Sequence, residues 1–217
     1  MDFLDTLVWY WENILDYFRE MLPCMLLALA VFLVLAPSRR RRLEARGLVS
    51  GPWREGALLL FVMFCAGLAA LTLFPAGFWR VSHWERALQG EIPLFPPVDW
   101  SLQLQTLQLT PLQEIWRAFR GPWVMFLMLA NIGIFAPVGF FPALLWRRWR
   151  WWKSLLLGFF TSCAIEFIQF FIGRSTDIDD VILNTTGALA GCWLFWLLRA
   201  LFPGFCSKFQ CHERGES

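Results

Sequence analysis

Five apolar runs, each at or near the length that crosses a bilayer as a helix, constrain this chain more than any other feature. A lipid interior offers no partner for a bare backbone N–H or C=O, so runs of this length are expected to be helices. They cover about 21–36, 56–75, 123–145, 155–172 and 181–202. The first is the shortest and becomes a full span if it extends back to about Asp16 and tilts. Pro23 lies near its start, where proline does least harm. Pro37 and the run Arg39–Arg42 are expected to end it. A mean hydropathy of +0.51 places the chain among integral membrane proteins. The expected fold class is all-α: a polytopic membrane protein with five transmembrane helices and an N-terminal amphipathic interfacial helix.

The interfacial helix is expected over residues 1–20. Leu4, Leu7, Val8, Trp11, Ile14, Leu15 and Phe18 recur at helical spacing, with Asp2, Asp5, Glu12, Asn13 and Asp16 on the other face. Its start is acidic, unlike the basic start of a secretory signal. Trp9, Tyr10 and Trp11 fit headgroup depth. The alternative is that this segment simply prolongs the first span. The transmembrane domain occupies 21–202, and 203–217 is expected to be a polar, disordered cytoplasmic tail. A long loop, 79–121, lies between the second and third spans. In it Leu102, Leu104, Leu107 and Leu109 alternate with Gln and Thr, which predicts extended chain with a slip in register between Leu104 and Leu107. From Pro111 a short amphipathic helix carries Leu112, Ile115, Trp116 and Phe119. Trp79, Trp84, Trp100 and Trp116 place the loop at the membrane surface.

The formal net charge is only +2, which argues against a nucleic-acid partner; its distribution is more informative. One set of connections holds Arg39 to Arg42, Arg46, Arg54, Arg147, Arg148, Arg150, Lys153, Arg199, Lys208 and Arg214. The other holds Arg19, Arg80, Arg86, Arg117, Arg120 and Arg174. By the positive-inside rule the first set is cytoplasmic, so the N-terminus is outside and the C-terminus inside. Cys24, Cys65, Cys163, Cys192, Cys206 and Cys211 fall in apolar runs or near the C-terminus, so no disulfide framework is expected. Cys206, Cys211 and His212 are too few and too terminal to define a metal site.

The chemistry of the chain is concentrated in Glu166 to Gly191. Gly158, Ser162, Glu166, Gln169 and Gly173 share one face of the fourth helix; Asp180, Asn184, Gly187 and Gly191 share one face of the fifth. The connection is short, so the helices are antiparallel neighbours and the two stripes are expected to face each other. Gly187 and Gly191 form G-x-x-x-G, which permits close backbone approach. Asn131 lies about 12 Å inside the third span and Glu166 about 9 Å inside the fourth, at about 1.5 Å per residue from the outer end. A pocket of Glu166, Gln169, Arg174, Asp177, Asp180, Asn184 and Asn131, open to the outer leaflet, is therefore expected.

The same residues admit a structural reading. Thr176 caps the fifth helix with Asp179 as the acid at its third position, Asp179 and Asp180 favour its positive end, Gln169 and Asn184 join helices, and Arg174 neutralises Glu166. A carboxylate two turns inside a bilayer is the part this explains least. Among functional readings, the pocket binds an amphiphilic or lipid-linked ligand, with Arg174 on a phosphate or carboxylate. Alternatively the chain is a membrane enzyme acting on a lipid-linked phosphate or cell-wall precursor. Glu166 is then its candidate catalytic base, and Asp177, Asp180 and Glu166 are candidate ligands for a divalent cation. A small transporter or flippase is the second alternative, with Glu166 as a proton site. No cofactor is expected, although a divalent cation fits the carboxylates. No histidine is placed for a serine or cysteine hydrolase.

The order E-x-x-Q, G-R-S-x-D-x-x-D and then N-x-x-G-x-x-x-G resembles the VanZ-like family of bacterial membrane proteins. Asn131 to Gly139, NIGIFAPVG, resembles that family's preceding helix, and LTLFP at Leu71 to Pro75 is a fainter echo of an earlier one. The resemblance covers about residues 65–200. It implies a multi-pass protein of the bacterial plasma membrane associated with low-level resistance to teicoplanin, a lipid-bearing glycopeptide antibiotic. The implied partners are a membrane lipid, a lipid-linked cell-wall precursor or the lipoglycopeptide. Glu166, Gln169, Arg174, Asp177, Asp180, Asn184 and Asn131 match its motif positions, whereas Asp179 is additional to the pattern. The first sixty or so residues depart from it.

Overall fold

A computed structural model describes residues 3–75, 77–119 and 121–213 of the chain. Asp2, Arg120, Arg214 and the end of the tail lie outside the described residues, as do the side chains of residues 1–7 and Tyr10. The fold is helical: α1 (Phe3–Glu44), α2 (Pro52–Thr72), α3 (Val81–Leu88), α4 (Trp100–Gln105), α5 (Gln113–Ala118), α6 (Pro122–Leu145), α7 (Trp151–Phe171), α8 (Ile178–Leu201) and α9 (Pro203–Ser207). Five of these, α1, α2, α6, α7 and α8, are long and apolar enough to cross a membrane. Among the described residues the one sheet is the pair β1 (Leu48–Val49) and β2 (His212–Glu213), antiparallel, with Leu48 opposite Glu213 and Val49 opposite His212.

The core is the contact of α8 with α6 and α7. Helices in lipid gain little from apolar burial alone, so close packing over small residues carries much of their association. A Cβ added to Gly191 would lie 1.9 Å from the Ala136 carbonyl oxygen, and one on Gly187 would lie 2.2 Å from that of Ile132. From the other side, a Cβ on Gly139 would lie 1.7 Å from the carbonyl oxygen of Ala188. The glycine pair of α8 therefore seats on α6, not on α7. Toward α7, Asn184 Nδ2 donates to Ser162 Oγ at 2.9 Å, and a Cβ on Gly158 of α7 would lie 2.7 Å from the Ala188 Cβ. Two glycines spaced four apart cannot serve two neighbours on one face, and the larger contact with α6 takes them.

The N-terminal segment and the first span are one helix. No break separates residues 3–20 from 21–36, and the helix passes both Pro23 and Pro37. Its 42 residues run about 63 Å, roughly twice the thickness of a hydrocarbon core. Arg39 pairs with Glu55 at the start of α2, and Glu55 also accepts from Ser50 Oγ at 2.6 Å. That contact, with an Arg-Arg-Arg-Leu-Glu sequence of good helix formers, carries α1 past Pro37. At the other end Glu20 meets Arg80 at 3.0 Å, beyond the end of α2. The first five or so turns of α1 thus continue the first span past the end of α2.

The tail also departs from expectation. Cys206 and Phe209 are buried against Ala143 to Leu145, Cys192 and Phe195, and Trp53 meets Phe205 and Phe209 edge-on. Residues 203–213 are ordered by this apolar contact and by the strand pair, which the polarity of the last residues conceals. In the 79–121 loop, Leu102 and Leu104 lie in helix α4, capped by Asp99, and not in the expected extended chain, which is limited to a single bridge at Gln108.

The glycine seam is testable by its sign. Ala replacing Gly191 should lower the detergent melting temperature, since overpacking costs about 1–3 kcal/mol. Ala replacing Gly56, a helical glycine with nothing within 4 Å of its Cβ position, should leave stability unchanged or raise it. Equal effects of the two would show that α8 does not depend on close approach to α6.

Candidate functional site

The turn between α7 and α8 builds the site. Gly173, at φ +75°, ends α7 in the left-handed conformation, and Arg174 N–H donates to the Gln169 carbonyl at 3.0 Å. This is a Schellman-type stop that turns the chain back sharply. Asp177 caps α8, accepting from Asp179 N–H at 2.8 Å. The Glu166 carboxylate accepts the N–H of Asp177 at 2.9 Å, and its carbonyl accepts from Thr176 Oγ1 at 3.4 Å. Glu166 thereby ties the start of α8 to α7, a structural role that capping alone does not supply.

Each remaining polar group joins a different pair of elements. Asn131 Nδ2 donates to Asp180 Oδ1 at 2.5 Å, joining α6 to α8. Gln169 Nε2 donates to the Thr72 carbonyl at 3.1 Å, joining α7 to the end of α2. Arg174 Nη1 donates to the carbonyls of Leu71 at 2.6 Å and Phe74 at 3.0 Å. The last carbonyls of α2, which no helical N–H can reach, are thus capped by a neighbouring amide and a guanidinium. Arg174 makes no ion pair among the described residues, so the Glu166–Arg174 pairing of the structural reading does not form. Burial draws the Arg174 guanidinium pKa down from its ordinary value, and the fields of Glu166 and Glu20 oppose that.

These groups line one cavity of about 470 Å³. Its polar end holds Glu166, Gln169, Arg174, Asp180, Asn184 and Asn131. Its apolar wall includes Met21, Leu68, Phe126, Ile134 and Phe135. Asn13, Ile14, Tyr17, Phe18 and Glu20 of α1 complete the lining, so both polar and apolar residues of its N-terminal half border the cavity. Trp11, outside the lining, is exposed. Asp177 lies outside this cavity and lines a second one, of about 630 Å³, with Gln105, Gln108 and Arg117. Asn131 and Asp180 line both, so their hydrogen bond stands between the two. Among the described residues no three His, Cys, Asp or Glu side chains gather as metal ligands.

Sequence reasoning missed the groups that reach the turn from far along the chain. Gln103, buried, donates through Nε2 to the Arg174 carbonyl at 2.5 Å. Gln108 exchanges backbone bonds with Thr176 and Ile178, each at 3.0 Å, as a single bridge opposite Asp177. Asp179, with no exposed surface, accepts from Leu112 N–H at 2.5 Å. Leu112 itself adopts φ +68°, a left-handed conformation that a branched residue takes only when its surroundings hold it. The signal was the repeated glutamine between Gln103 and Gln108 in a loop otherwise suited to lipid contact. Glu20 and Tyr17 gave no signal, because α1 reaches the cavity only through its unbroken length.

A bundle of five membrane-length helices enclosing a cavity with a polar head and an apolar wall defines an integral membrane protein with an amphiphilic interior site. The VanZ/LLP1 family model matches residues 57–199, most of the chain, and the chain belongs to that family. The matched region starts in α2 and so leaves out α1. No curated protein and no solved structure matches the chain significantly.

Asp179 should hold the loop on the turn. Replacing it with Ala leaves the Leu112 N–H without its acceptor, at a cost of about 1–3 kcal/mol. Limited proteolysis should then cut between Gln105 and Gln113 faster than in wild type. Unchanged cleavage would show that the loop is anchored elsewhere.

Proposed function

We propose that the chain binds an amphiphile of the outer leaflet, a lipid-linked cell-wall precursor or a lipoglycopeptide such as teicoplanin. The observation that carries this is the state of Arg174. Its Nη1 donates to two carbonyls, no described residue accepts from Nε or Nη2, and Arg174 lines the cavity. The guanidinium is therefore anchored through one nitrogen, which leaves the other two to pair with a ligand's anionic group. Such a fork matches a phosphate or carboxylate. Glu166 and Asp180 stand in the same cavity. A headgroup that presents an amine beside its acid matches both signs. The apolar wall from Met21 to Phe135 takes the acyl chain.

Family membership supports a link to glycopeptide resistance, and the bundle supports a site reached from the membrane. The arginine-rich end, by the positive-inside rule, is cytoplasmic, which puts the cavity in the outer leaflet where such ligands occur. A membrane enzyme on a lipid-linked precursor and a flippase remain as competing readings. Both require a changed or translocated product, which a binding protein does not make. A divalent cation is not part of this reading: Mg²⁺ or Ca²⁺ should leave the melting temperature unchanged, and a rise that Asp180→Asn removes would restore metal to the site.

Orientation is tested with single cysteines at Ser38 and Ser101 in a chain cleared of its own. A membrane-impermeant maleimide should label Ser101→Cys in intact cells and Ser38→Cys only after lysis. The reverse pattern would overturn the orientation. The site is tested by teicoplanin susceptibility at matched protein level in membranes. Arg174→Gln should remove protection, and Arg174→Lys should reduce it because an ammonium cannot make the fork. Glu166→Gln keeps an acceptor for the Asp177 N–H, so it should fold yet lose protection. Full protection by all three variants would sink the proposal. If wild type confers no protection, copurified amphiphile is the readout.

A further inference from the structure

At the end of the bundle opposite the polar cavity, the α6–α7 connection, the start of α7, the end of α8 and the tail enclose a concavity of about 890 Å³. Arg147, Arg148, Lys153 and Arg199 line it, and no Asp or Glu is among its lining within the described residues. None of the four makes an ion pair with a described residue. The same end of the molecule treats other cations differently. Arg39 and Arg54 both meet Glu55, one in direct contact and one at 3.8 Å. Like charges that line one recess without a paired carboxylate repel, so this basic concavity is most stable with an anion in it.

The concavity is built, not incidental to a mobile basic loop. Trp149 Nε1 donates to buried Ser154 Oγ at 2.8 Å, which fixes the indole wall. Lys153 Nζ stands 5.7 Å from that ring and donates to the Arg148 carbonyl at 3.3 Å. The tail wall, from Pro203 to His212, is held down by buried Cys206 and Phe209 and by the β1–β2 pair. Trp146, Trp151 and Trp152 are exposed alongside, as expected at headgroup depth.

We propose that this concavity is a second ligand site, which takes a phosphate-bearing anion at the membrane surface, above all the headgroup of an anionic phospholipid. Guanidinium forks on Arg147, Arg148 and Arg199 match phosphate oxygens, and basic recesses between membrane helices on the cytoplasmic side commonly hold such headgroups. The site is independent of the outer cavity and of what that cavity binds.

The test uses the full chain in detergent, with native mass spectrometry against added phosphatidylglycerol, phosphatidylcholine and, separately, inorganic phosphate. Wild type should bind phosphatidylglycerol over phosphatidylcholine. Arg148→Gln with Arg199→Gln should weaken that binding tenfold or more, and Arg147→Gln with Lys153→Gln repeats the test on the other half of the concavity. Arg40→Gln with Arg41→Gln removes the same charge from the same end, outside the concavity, and should bind as wild type does. Inorganic phosphate that competes with the lipid, or binds alone and is lost in the same variants, identifies free phosphate as a source of the same chemistry and supports the site. Equal weakening in the Arg40/Arg41 variant would reduce the effect to general surface charge and overturn the proposal. So would the absence of phosphatidylglycerol and phosphate binding in wild type.

Discussion

The contact on which the site depends is the seat of α8 on α6. Gly187 and Gly191 bring the α8 backbone against the carbonyls of Ile132 and Ala136, and Gly139 of α6 answers with its own close approach to Ala188. With these backbones in contact, Asp180 at the start of α8 lies beside Asn131, and Asn184, one turn before Gly187 on the same face, lies beside Ser162 of α7. A side chain at any of the three glycines would move α8 away from α6 and open the partition between the two cavities. The polar groups are therefore positioned by apolar geometry lower in the bundle. Their own hydrogen bonds then fix the turn, through Glu166 to Asp177 and through Arg174 to the end of α2.

Much of this was legible in the residues. The five spans, their order, the short turn and most of the cavity's polar lining follow from hydropathy, helical spacing and the rarity of ionisable groups at membrane depth. The family followed from the motif across Glu166 to Gly191. What escaped depends on contacts between residues distant in sequence. Glu20 meets Arg80, and Gln103 meets Arg174, across separations of 60 and 71 residues. The continuity of α1 past Pro37 depends on Glu55, and the order of the tail depends on apolar surface contributed by α2, α6 and α8. The Glu166–Arg174 pairing of the structural reading failed for a local reason. The Schellman turn sends the arginine toward α2, where unsatisfied carbonyls compete for it. Asp177 was placed in the pocket by its spacing, but the cap it forms directs it to the second cavity.

The two ends of the molecule use charge in different ways. At the end that holds the α7–α8 turn, one guanidinium lines an apolar-walled cavity with Glu166 and Asp180, which a backbone N–H and an amide hold in place. At the other end cations line a recess bounded by tryptophan and the folded tail, with no Asp or Glu among its lining within the described residues. The first arrangement presents both signs of charge to its cavity, and the second presents one. Helix α1, outside the residues that the family model matches, adds Tyr17 and Glu20 to the lining of the first cavity.

The central claim is that the outer cavity holds an amphiphile by its headgroup through Arg174. The most direct measurement is native mass spectrometry of protein extracted gently from its membrane, with the copurified small molecules identified by fragmentation, for wild type and for Arg174→Gln at equal folded yield. A bound amphiphile that carries a phosphate or carboxylate, retained by wild type and lost from the variant, is the predicted result. Retention of the same amphiphile by both proteins, or wild type free of any amphiphile that Arg174 affects, would contradict it.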